Sequence, residues 1–448
     1  VDAVWSDQPG PPQSPVVAHP QRFAGRSSAE KRIDVADAKK ADKLDAAFLS
    51  APDSVAWLLN IRGGDVDYTP LPLAFALVHA DAGVELFMDP AKLAAGVVDD
   101  AVTVRAPGEL AAALDRLKDK RVRVDQAAAP YWVVDRLNHA GARIDRGADP
   151  CALPKACKNA VELDGARAAH RRDGAAMVRF LAWLAGRGPG VREMEAADRL
   201  AAFRAEGEHF RGLSFPTISG AGPNGAIVHY RSTPATDRAL EAGQLYLLDS
   251  GAQYLDGTTD VTRTVAIGTP GPEERARFTL VLKGHIAVSA ARFPAGTTGS
   301  QLDVLARHAL WAAGLDYDHG TGHGVGSYLG VHEGPQRISK VGSPVALRPG
   351  MVLSNEPGYY KPGAYGIRIE NLVAVVEAAA PPGAERQLLG FEPLTLVPID
   401  LGLVDPTLLT AAELAWLDSY HTRVRAEIAP LVDGTARAWL EKATRPIG

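Results

Sequence analysis

Two aspartates stand on neighbouring apolar runs of the sequence. Asp249 and Asp260 lie in LYLLDSGAQYLDGTTDVTRTVAI (245–267), one on each side of the turn signal LDGT (255–258). A β-hairpin across that turn would bring the two carboxylates together, and the two leucines before Asp249 favour its burial. A buried carboxylate pair repels itself unless a proton or a cation intervenes. The alternative is that both are ordinary turn and strand-end aspartates.

Three histidines fall within the segment HGTGHGVGSYLGVHEG (319–334), namely His319, His323 and His332. The first two have the i, i+4 spacing of a helical metal site, but the glycines between them argue against a helix. A glycine-rich loop lets the backbone approach a site closely and directs imidazoles into it. A turn that merely contains hydrogen-bonded histidines is the alternative.

Two glutamates complete the candidate set, both within SNEPGYYKPGAYGIRIEN (354–371). Glu356 precedes a proline. Glu370 ends an alternating stretch in which it shares one face with Arg368. A solvated strand face would explain the same alternation.

These segments together supply four carboxylates and one imidazole: Asp249, Asp260, His323, Glu356 and Glu370. With a neutral imidazole the four carboxylates carry four negative charges, which two divalent cations would balance. The oxygen-rich donor set suits Mn²⁺, and also Co²⁺, Fe²⁺ or Zn²⁺, and no cysteine lies nearby to favour a thiolate site. Two metals on shared carboxylates can generate a bridging hydroxide and polarise a carbonyl group.

The surrounding sequence predicts the elements that position these groups. Helix and strand patterns alternate over 26–156, which indicates an α/β domain. The predicted segments there are a helix over 35–49, strands over 54–61, 73–79 and 84–88, a helix over 108–117 and a strand over 121–125. An α+β domain is predicted over 157–448, with helices over 160–185, 278–292 and 300–313, strands over 225–268, glycine-rich and strand segments over 319–375, and an amphipathic helical tail over 411–443.

Bulk composition restricts the function classes. A length of 448 residues predicts two or three domains, and a net charge of −5 gives no sign of nucleic-acid binding. Two cysteines six residues apart form no disulfide framework, so a cytoplasmic location is expected. No apolar run is long enough to span a membrane, and no membrane partner is expected.

Four separated stretches resemble the pita-bread metallopeptidases, and among them the three-domain Xaa-Pro aminopeptidases. They are FPTISGAGPNGAIVHY (215–230), LLDSGAQYLDGTTDVTRT (247–264), HGTGHGVGSYLGVHEGP (319–335) and NEPGYYKPGAYGIRIEN (355–371). The resemblance implies that 26–156 is a creatinase-like α/β domain and that 157–448 is an α+β pita-bread catalytic domain with a helical extension. It also implies that 1–25, which includes a proline-rich linker, is the remnant of a missing upstream domain.

The resemblance assigns the five candidate ligands to two ions. Asp249 would chelate one metal, and His323 and Glu356 would bind the other. Asp260 and Glu370 would bridge both metals.

Substrate roles follow from the same resemblance. His229, His319 and His332 would line the substrate site without binding metal, and Arg368 would also contact substrate. Glu356 would act as general base and proton shuttle next to the nucleophile.

The implied activity is a metal-dependent aminopeptidase that hydrolyses the bond between an N-terminal residue and proline, by attack of a metal-bridging hydroxide. Its partners would be peptides with proline second. Prolidase, which is limited to Xaa-Pro dipeptides, is the nearest alternative, and a non-catalytic pita-bread binding protein is a more distant one. The tail and the resemblance predict a homodimer, although the tail's apolar face could instead cover the catalytic domain.

Overall fold

The computed structural model describes residues 5–447 and divides into two compact units, one up to Lys155 and the other from Ala156. The first unit is α/β. Its elements are β1 (Val17–Ala18), α1 (Gln21–Ala24), α2 (Ser28–Ala41), β2 (Ala46–Leu49), α3 (Pro52–Leu59), β3 (Ile61–Arg62), β4 (Phe75–His79), β5 (Val84–Phe87), β6 (Val102–Arg105), α4 (Leu110–Asp115), β7 (Arg121–Val124), α5 (Tyr131–Ala140) and β8 (Arg143–Arg146), before α6 (Ala152–Ala156) at the division.

A six-stranded sheet organises the first unit, in the order β6-β5-β4-β2-β7-β8. The central strand β2 runs antiparallel to β4 and parallel to β7. Apolar side chains such as Phe48, Leu77, Leu114 and Leu137 join the sheet to α4 and α5 in one buried cluster. The predicted α/β class is confirmed here.

Two of the predicted elements in this unit are wrong. The segment 54–61 is mostly helix α3, not a strand, because Pro52 occupies the first turn and Asn60 ends the helix in a left-handed conformation (φ 51°). Its short, wholly apolar run fits a buried helix as well as a strand. The helix predicted over 35–49 stops at Ala41, and Ala46–Leu49 is instead the central strand β2. Lys43, with φ 56°, makes the turn between them.

The second unit is α+β, as predicted, but the strands predicted over 225–268 begin only at Gln244. Its elements are α7 (Ala160–Arg187), α8 (Glu193–Ala205), β9 (Phe210–Leu213), β10 (Ile218–Ala221), β11 (Gln244–Ser250), β12 (Ala252–Tyr254), β13 (Gly257–Thr258), β14 (Val261–Ile267), α9 (Pro272–Ser289), β15 (Phe293–Pro294), α10 (Gly299–Ala312), β16 (Gly322–Gly324), β17 (Glu333–Ile338), β18 (Val352–Asn355), β19 (Gly358–Lys361), β20 (Tyr365–Arg368), β21 (Asn371–Ala378), β22 (Leu388–Pro393), α11 (Ala411–Ile428) and α12 (Gly434–Ala443).

Two sheets carry most of the chemistry. One has the order β10-β11-β14, and the other has the order β15-β22-β21-β18-β16-β17. Two smaller sheets, with the orders β13-β12-β9 and β19-β20, contain the remaining strands of this unit. Helix α7 begins at a capping box formed by Asn159 and Glu162, and it contributes buried side chains to four separate apolar clusters.

The tail folds as two helices rather than one. The apolar side chains of α11, including Leu417, Tyr420, Val424 and Ile428, are buried in the same cluster as Phe278 of α9. The tail's apolar face therefore covers its own unit, which is the alternative that the sequence left open. Among residues 5–447, no helix is both long and apolar enough to cross a bilayer.

Candidate active site

The predicted hairpin exists and places the two aspartates side by side. Strands β11 and β14 pair antiparallel, with Asp249 opposite Thr262, and Asp260 immediately precedes β14. A Cβ at Gly251 would come within 2.1 Å of the carbonyl oxygen of Thr259. Only glycine therefore permits the close chain approach that keeps the two carboxylates together.

His323 lies in β16, a short strand between glycines. A Cβ at Gly322 would come within 1.9 Å of the carbonyl oxygen of Ser354, so glycine allows β16 to lie against β18. The His323 amide donates to Ser354 Oγ (2.9 Å), and His323 Nδ1 donates to the carbonyl oxygen of Gly324 (3.0 Å). That bond assigns the ring proton to Nδ1 and leaves Nε2 as a free electron-pair donor.

The free nitrogen of His323 lies among carboxylates. Its Nε2 is 3.5 Å from Asp260 Oδ2 and 3.6 Å from Glu356 Oε1. Glu356 follows β18, and its amide donates to the carbonyl oxygen of Thr321 (2.8 Å). Its Oε1 accepts a hydrogen bond from Ser354 Oγ (3.2 Å). One serine thus binds both the backbone of His323 and the carboxylate of Glu356.

Glu370 enters the same site from the connection between β20 and β21. Its amide donates to the carbonyl oxygen of Thr262 (3.2 Å), and its Oε2 accepts from Thr262 Oγ1 (2.8 Å). Arg263 Nη1 donates to the Glu370 carbonyl oxygen (2.6 Å) and fixes the backbone from behind. Ligand atoms of Asp260, His323 and Glu370 all lie within 4.8 Å of one another.

The carboxylates of the site repel one another. Burial, followed by the negative charges of Asp249 and Glu356, raises the pKa of Asp260 well above its ordinary value. Burial and then the charges of Asp260 and Asp249 raise the pKa of Glu370 in the same way. Burial also raises the pKa of Glu356. The site therefore stabilises a proton or a cation.

The donor set fits divalent metal ions. Within the described residues, Asp249 Oδ1 and Asp260 Oδ1 are buried without a hydrogen-bond partner. The nearest positive group, Arg368, occupies only the other oxygen of Asp249, with Nη2 at 2.6 Å from Oδ2. Buried carboxylate oxygens without protein donors are the usual place for a metal. The five candidate ligands would hold it.

A hydrogen-bonded chain runs from Asp249 to His319. Arg368 Nη2 donates to Asp249, and Arg368 Nη1 donates to Tyr360 Oη (2.5 Å). Tyr360 Oη in turn contacts His319 Nε2 (2.8 Å), while His319 Nδ1 contacts the carbonyl oxygen of Gly320 (2.7 Å). A carbonyl only accepts, so Nδ1 carries the proton and Tyr360 donates to Nε2. Burial and then the charge of Arg368 lower the pKa of His319 to about 3, so its ring is neutral.

The remaining two histidines are exposed to the cavity. Neither His229 nor His332 makes a side-chain hydrogen bond to any residue between 5 and 447, and the ring of His332 contacts that of His323 edge-on, with centroids 4.2 Å apart. The cavity has a volume of about 490 Å³. It brings together all nine predicted site residues: His229, Asp249, Asp260, His319, His323, His332, Glu356, Arg368 and Glu370.

Sequence reasoning missed three side chains that hold this set in place. Tyr360 links Arg368 to His319, Thr262 binds Glu370, and Ser354 binds the His323 amide and the Glu356 carboxylate. Each stands inside a segment singled out for its charged residues. Their hydroxyls carry no signal of their own in the sequence, and Glu370 and His319 are distant in sequence from the Thr262 and Tyr360 that bind them.

The fold and the metal-binding geometry define a metallopeptidase of the pita-bread type. Three family models match: "Creatinase/Prolidase N-terminal domain" over 7–162, "Metallopeptidase family M24" over 164–377 and "C-terminal region of peptidase_M24" over 387–447. The chain belongs to metallopeptidase family M24.

Its relatives within the family carry aminopeptidase names. The chain is 44% identical to "Probable Xaa-Pro aminopeptidase P" of Laccaria bicolor, across all of this chain and 72% of the relative, and 40% identical to "Aminopeptidase P1" of Lotus japonicus, across all of this chain and 79% of the relative. It superposes with a TM-score of 0.93 and 38% identity on an X-prolyl aminopeptidase from Caenorhabditis elegans, over all of this chain and 75% of that one. That protein is described as a cytosolic enzyme with a di-nuclear active site.

We expect the metal-free protein to lose stability as the pH rises. Asp260, Glu356 and Glu370 keep protons in the folded state that the unfolded chain, with ordinary pKa values of 3.8 and 4.5, has already released. Folding therefore binds protons, and the free energy of unfolding falls above about pH 4 until the raised values are passed. Scanning calorimetry of chelator-treated protein should show a Tm that falls as the pH rises above the ordinary pKa values of 3.8 and 4.5.

Divalent metal should reverse that trend, because it replaces the protons. Mn²⁺ should raise the Tm most at the high end of the range. Glu370→Gln is the matched control, since it keeps the shape and removes one repelling charge. Metal-free Glu370→Gln should be more stable than the wild type near pH 8, and Mn²⁺ should raise its Tm less. An equal or lower stability would refute repulsion at this position.

Proposed function

We propose that the chain is a metal-dependent aminopeptidase that releases the N-terminal residue from peptides with proline in the second position. One observation carries the proposal: mutually repelling carboxylates and one imidazole converge in a single cavity, in a chain 44% identical to a protein named for this activity. Ligand atoms of Asp260, His323 and Glu370 lie close enough together to hold a metal ion, and this supports hydrolysis rather than binding alone.

We propose two divalent ions, with Mn²⁺ as the working metal and Co²⁺ or Zn²⁺ as substitutes. Asp249 would hold one ion, His323 and Glu356 the other, and Asp260 and Glu370 both. Bound metals would supply a nucleophile at neutral pH and would polarise the scissile carbonyl. The donor set, oxygen-rich with one nitrogen, supports Mn²⁺.

The chain's own residues would supply proton transfer and orientation. Glu356, whose Oε1 lies 3.6 Å from His323 Nε2 in the same cavity, is placed to take a proton and pass it to the leaving nitrogen. Arg368 holds one oxygen of Asp249, and the free amine of a peptide would meet the remaining carboxylate charge there. That charge would favour cleavage after the N-terminal residue over cleavage of an internal peptide bond. His319 would act by fixing Tyr360 and therefore Arg368, because both of its ring nitrogens are engaged.

The cavity wall would provide the selectivity for proline. Proline has no amide hydrogen, so recognition must come from shape and from its neighbouring carbonyl groups. Phe215, Pro216 and Ile218 supply apolar lining. His229 and His332, with ring nitrogens open to the cavity, are placed to donate to peptide carbonyl oxygens.

We also propose the division of the chain into 1–25, 26–156 and 157–448, a cytoplasmic location and a homodimer.

The apolar side chains exposed on α10 support a dimer surface better than the tail, whose apolar face is buried. They are Val304 (42%), Leu305 (36%) and Trp311 (45%). Sedimentation at micromolar concentration should give a dimer that Leu305→Asp weakens. A single species of 47.4 kDa would contradict it.

The proposed function predicts cleavage of Xaa-Pro-Yaa tripeptides by Mn²⁺-loaded protein, with release of the first residue only. Acetylation of the peptide amine should abolish cleavage, and alanine in place of proline should slow it strongly. Liquid chromatography of the products measures both effects. A higher kcat/KM on Xaa-Pro dipeptides would favour prolidase, and absence of cleavage with both metals bound would favour the binding protein.

His332→Ala should lower kcat with little loss of metal. The ring is free to donate to a carbonyl on which charge develops, and removal of such a donor costs about 10²–10³-fold in turnover. Metal content by elemental analysis and kcat on the tripeptide provide the measurement. His139→Ala is the control, because this histidine is exposed on α5 of the first unit, outside the cavity lining.

The edge-on contact with His323 offers the competing explanation for His332. If the ring only supports the ligand, the variant should lose metal, and excess Mn²⁺ should restore its activity. That outcome would assign His332 to metal binding and remove it from the substrate site.

A further inference from the structure

Glu193 is a buried carboxylate of the second unit that lies outside the metal site. Glu193, the first residue of α8, is 0% exposed. No lysine, arginine or histidine in the described part of the chain forms an ion pair with it. A buried anion without a cation is strongly destabilising unless hydrogen bonds replace its water.

Neutral donors from one segment satisfy this carboxylate. Its Oε1 accepts from the Ala221 amide (2.7 Å) and from Asn224 Nδ2 (2.9 Å). Its Oε2 accepts from Tyr230 Oη (2.9 Å) and from the Arg238 amide (3.0 Å). The N-terminal position on α8 adds a favourable helix dipole. Four groups within 221–238 therefore converge on a single side chain.

The backbone of Glu193 reinforces the same attachment. Its amide donates to the Arg238 carbonyl oxygen (3.0 Å), and its carbonyl oxygen accepts from Ser219 Oγ (2.7 Å). Both ends of the segment 221–238 are thus fixed to one residue. This segment has a short 3-10 turn at Gly222–Ala226 and no strand or helix beyond it up to β11. Asp237 adds further attachments to the start of α8, since it accepts from Arg192 Nε (2.6 Å) and from the Met194 amide (3.0 Å).

The segment held in this way forms one wall of the cavity. Val228, His229, Tyr230 and Arg231 all line it. His229 is exposed and has no side-chain hydrogen bond within 5–447, so its position depends on the backbone that carries it. The next residue, Tyr230, donates a hydrogen bond from its hydroxyl group to Glu193 Oε2.

We propose that Glu193 is a positioning residue that holds His229 in place against the peptide substrate. The proposal rests on the proposed function, because it assigns to His229 a contact with substrate. Glu193 touches neither the metal-binding carboxylates nor the cavity. Its loss should therefore change peptide recognition and leave metal binding unaltered.

Glu193→Gln is the informative substitution. It keeps the shape but turns one acceptor oxygen into an N–H donor that faces other donors, so at least one hydrogen bond is lost. We expect kcat/KM on an Xaa-Pro-Yaa tripeptide to fall about 10-fold or more, mainly through KM, with metal content unchanged. Glu195→Gln is the matched control, since its side chain is 44% exposed on the same helix.

A double-mutant cycle separates positioning from general destabilisation. If Glu193 acts through His229, the double variant Glu193→Gln, His229→Ala should be no slower than His229→Ala alone. Additive losses would overturn the proposal. Tyr230→Phe removes one donor only and should show a smaller effect in the same direction, which keeps the test usable if Glu193→Gln folds poorly by circular dichroism.

Hydrogen exchange provides an arm that does not depend on activity. The amides of Ala221 and Arg238 should exchange at least about 10-fold faster in Glu193→Gln than in the wild type. Their exchange rates should be unchanged in Glu195→Gln. Unchanged exchange in Glu193→Gln would overturn the proposal. A wild-type chain that neither cleaves nor binds the tripeptide would overturn the proposed function, and the exchange rates would then decide separately whether Glu193 holds the segment.

Discussion

Mutual repulsion between buried carboxylates is the constraint on which the second unit is built. Asp260 comes from the β11–β14 hairpin, and Glu356 and Glu370 come from the segment 354–371. Burial, followed by the charges of neighbouring carboxylates, raises the pKa of all three. Packing alone would separate them. The fold therefore uses antiparallel strands and glycines to force them together, and the free energy of metal binding is the natural compensation.

The surrounding residues fix the carboxylates without neutralising them. Arg263 is fully buried, yet it donates to backbone and amide oxygens such as the Glu370 carbonyl and Asn371 Oδ1, not to a ligand carboxylate. Arg368 takes one oxygen of Asp249 only. Hydroxyls and backbone amides orient the rest. Such neutral support leaves the negative charge available to cations, which a site made of salt bridges would not.

The sequence predicted the charged groups better than the elements and partners around them. The LDGT turn and flanking apolar runs correctly predicted the hairpin that joins Asp249 to Asp260, because that contact is local. The strand predicted over 54–61 is wrong, since the periodicity of a short apolar run does not distinguish a buried strand from a buried helix. Tyr360 and Glu193 were missed because their partners, Arg368 with His319 and the segment 221–238, become neighbours only in the folded chain.

The most direct test of a shared dinuclear site is the metal stoichiometry of single-ligand variants, measured by elemental analysis after equilibrium dialysis against Mn²⁺. We expect about two ions per wild-type chain, close to none in Asp260→Asn or Glu370→Gln, and one retained in Asp249→Asn, because the first two residues would serve both ions. Retention of both ions in Asp260→Asn and in Glu370→Gln would contradict a shared dinuclear site.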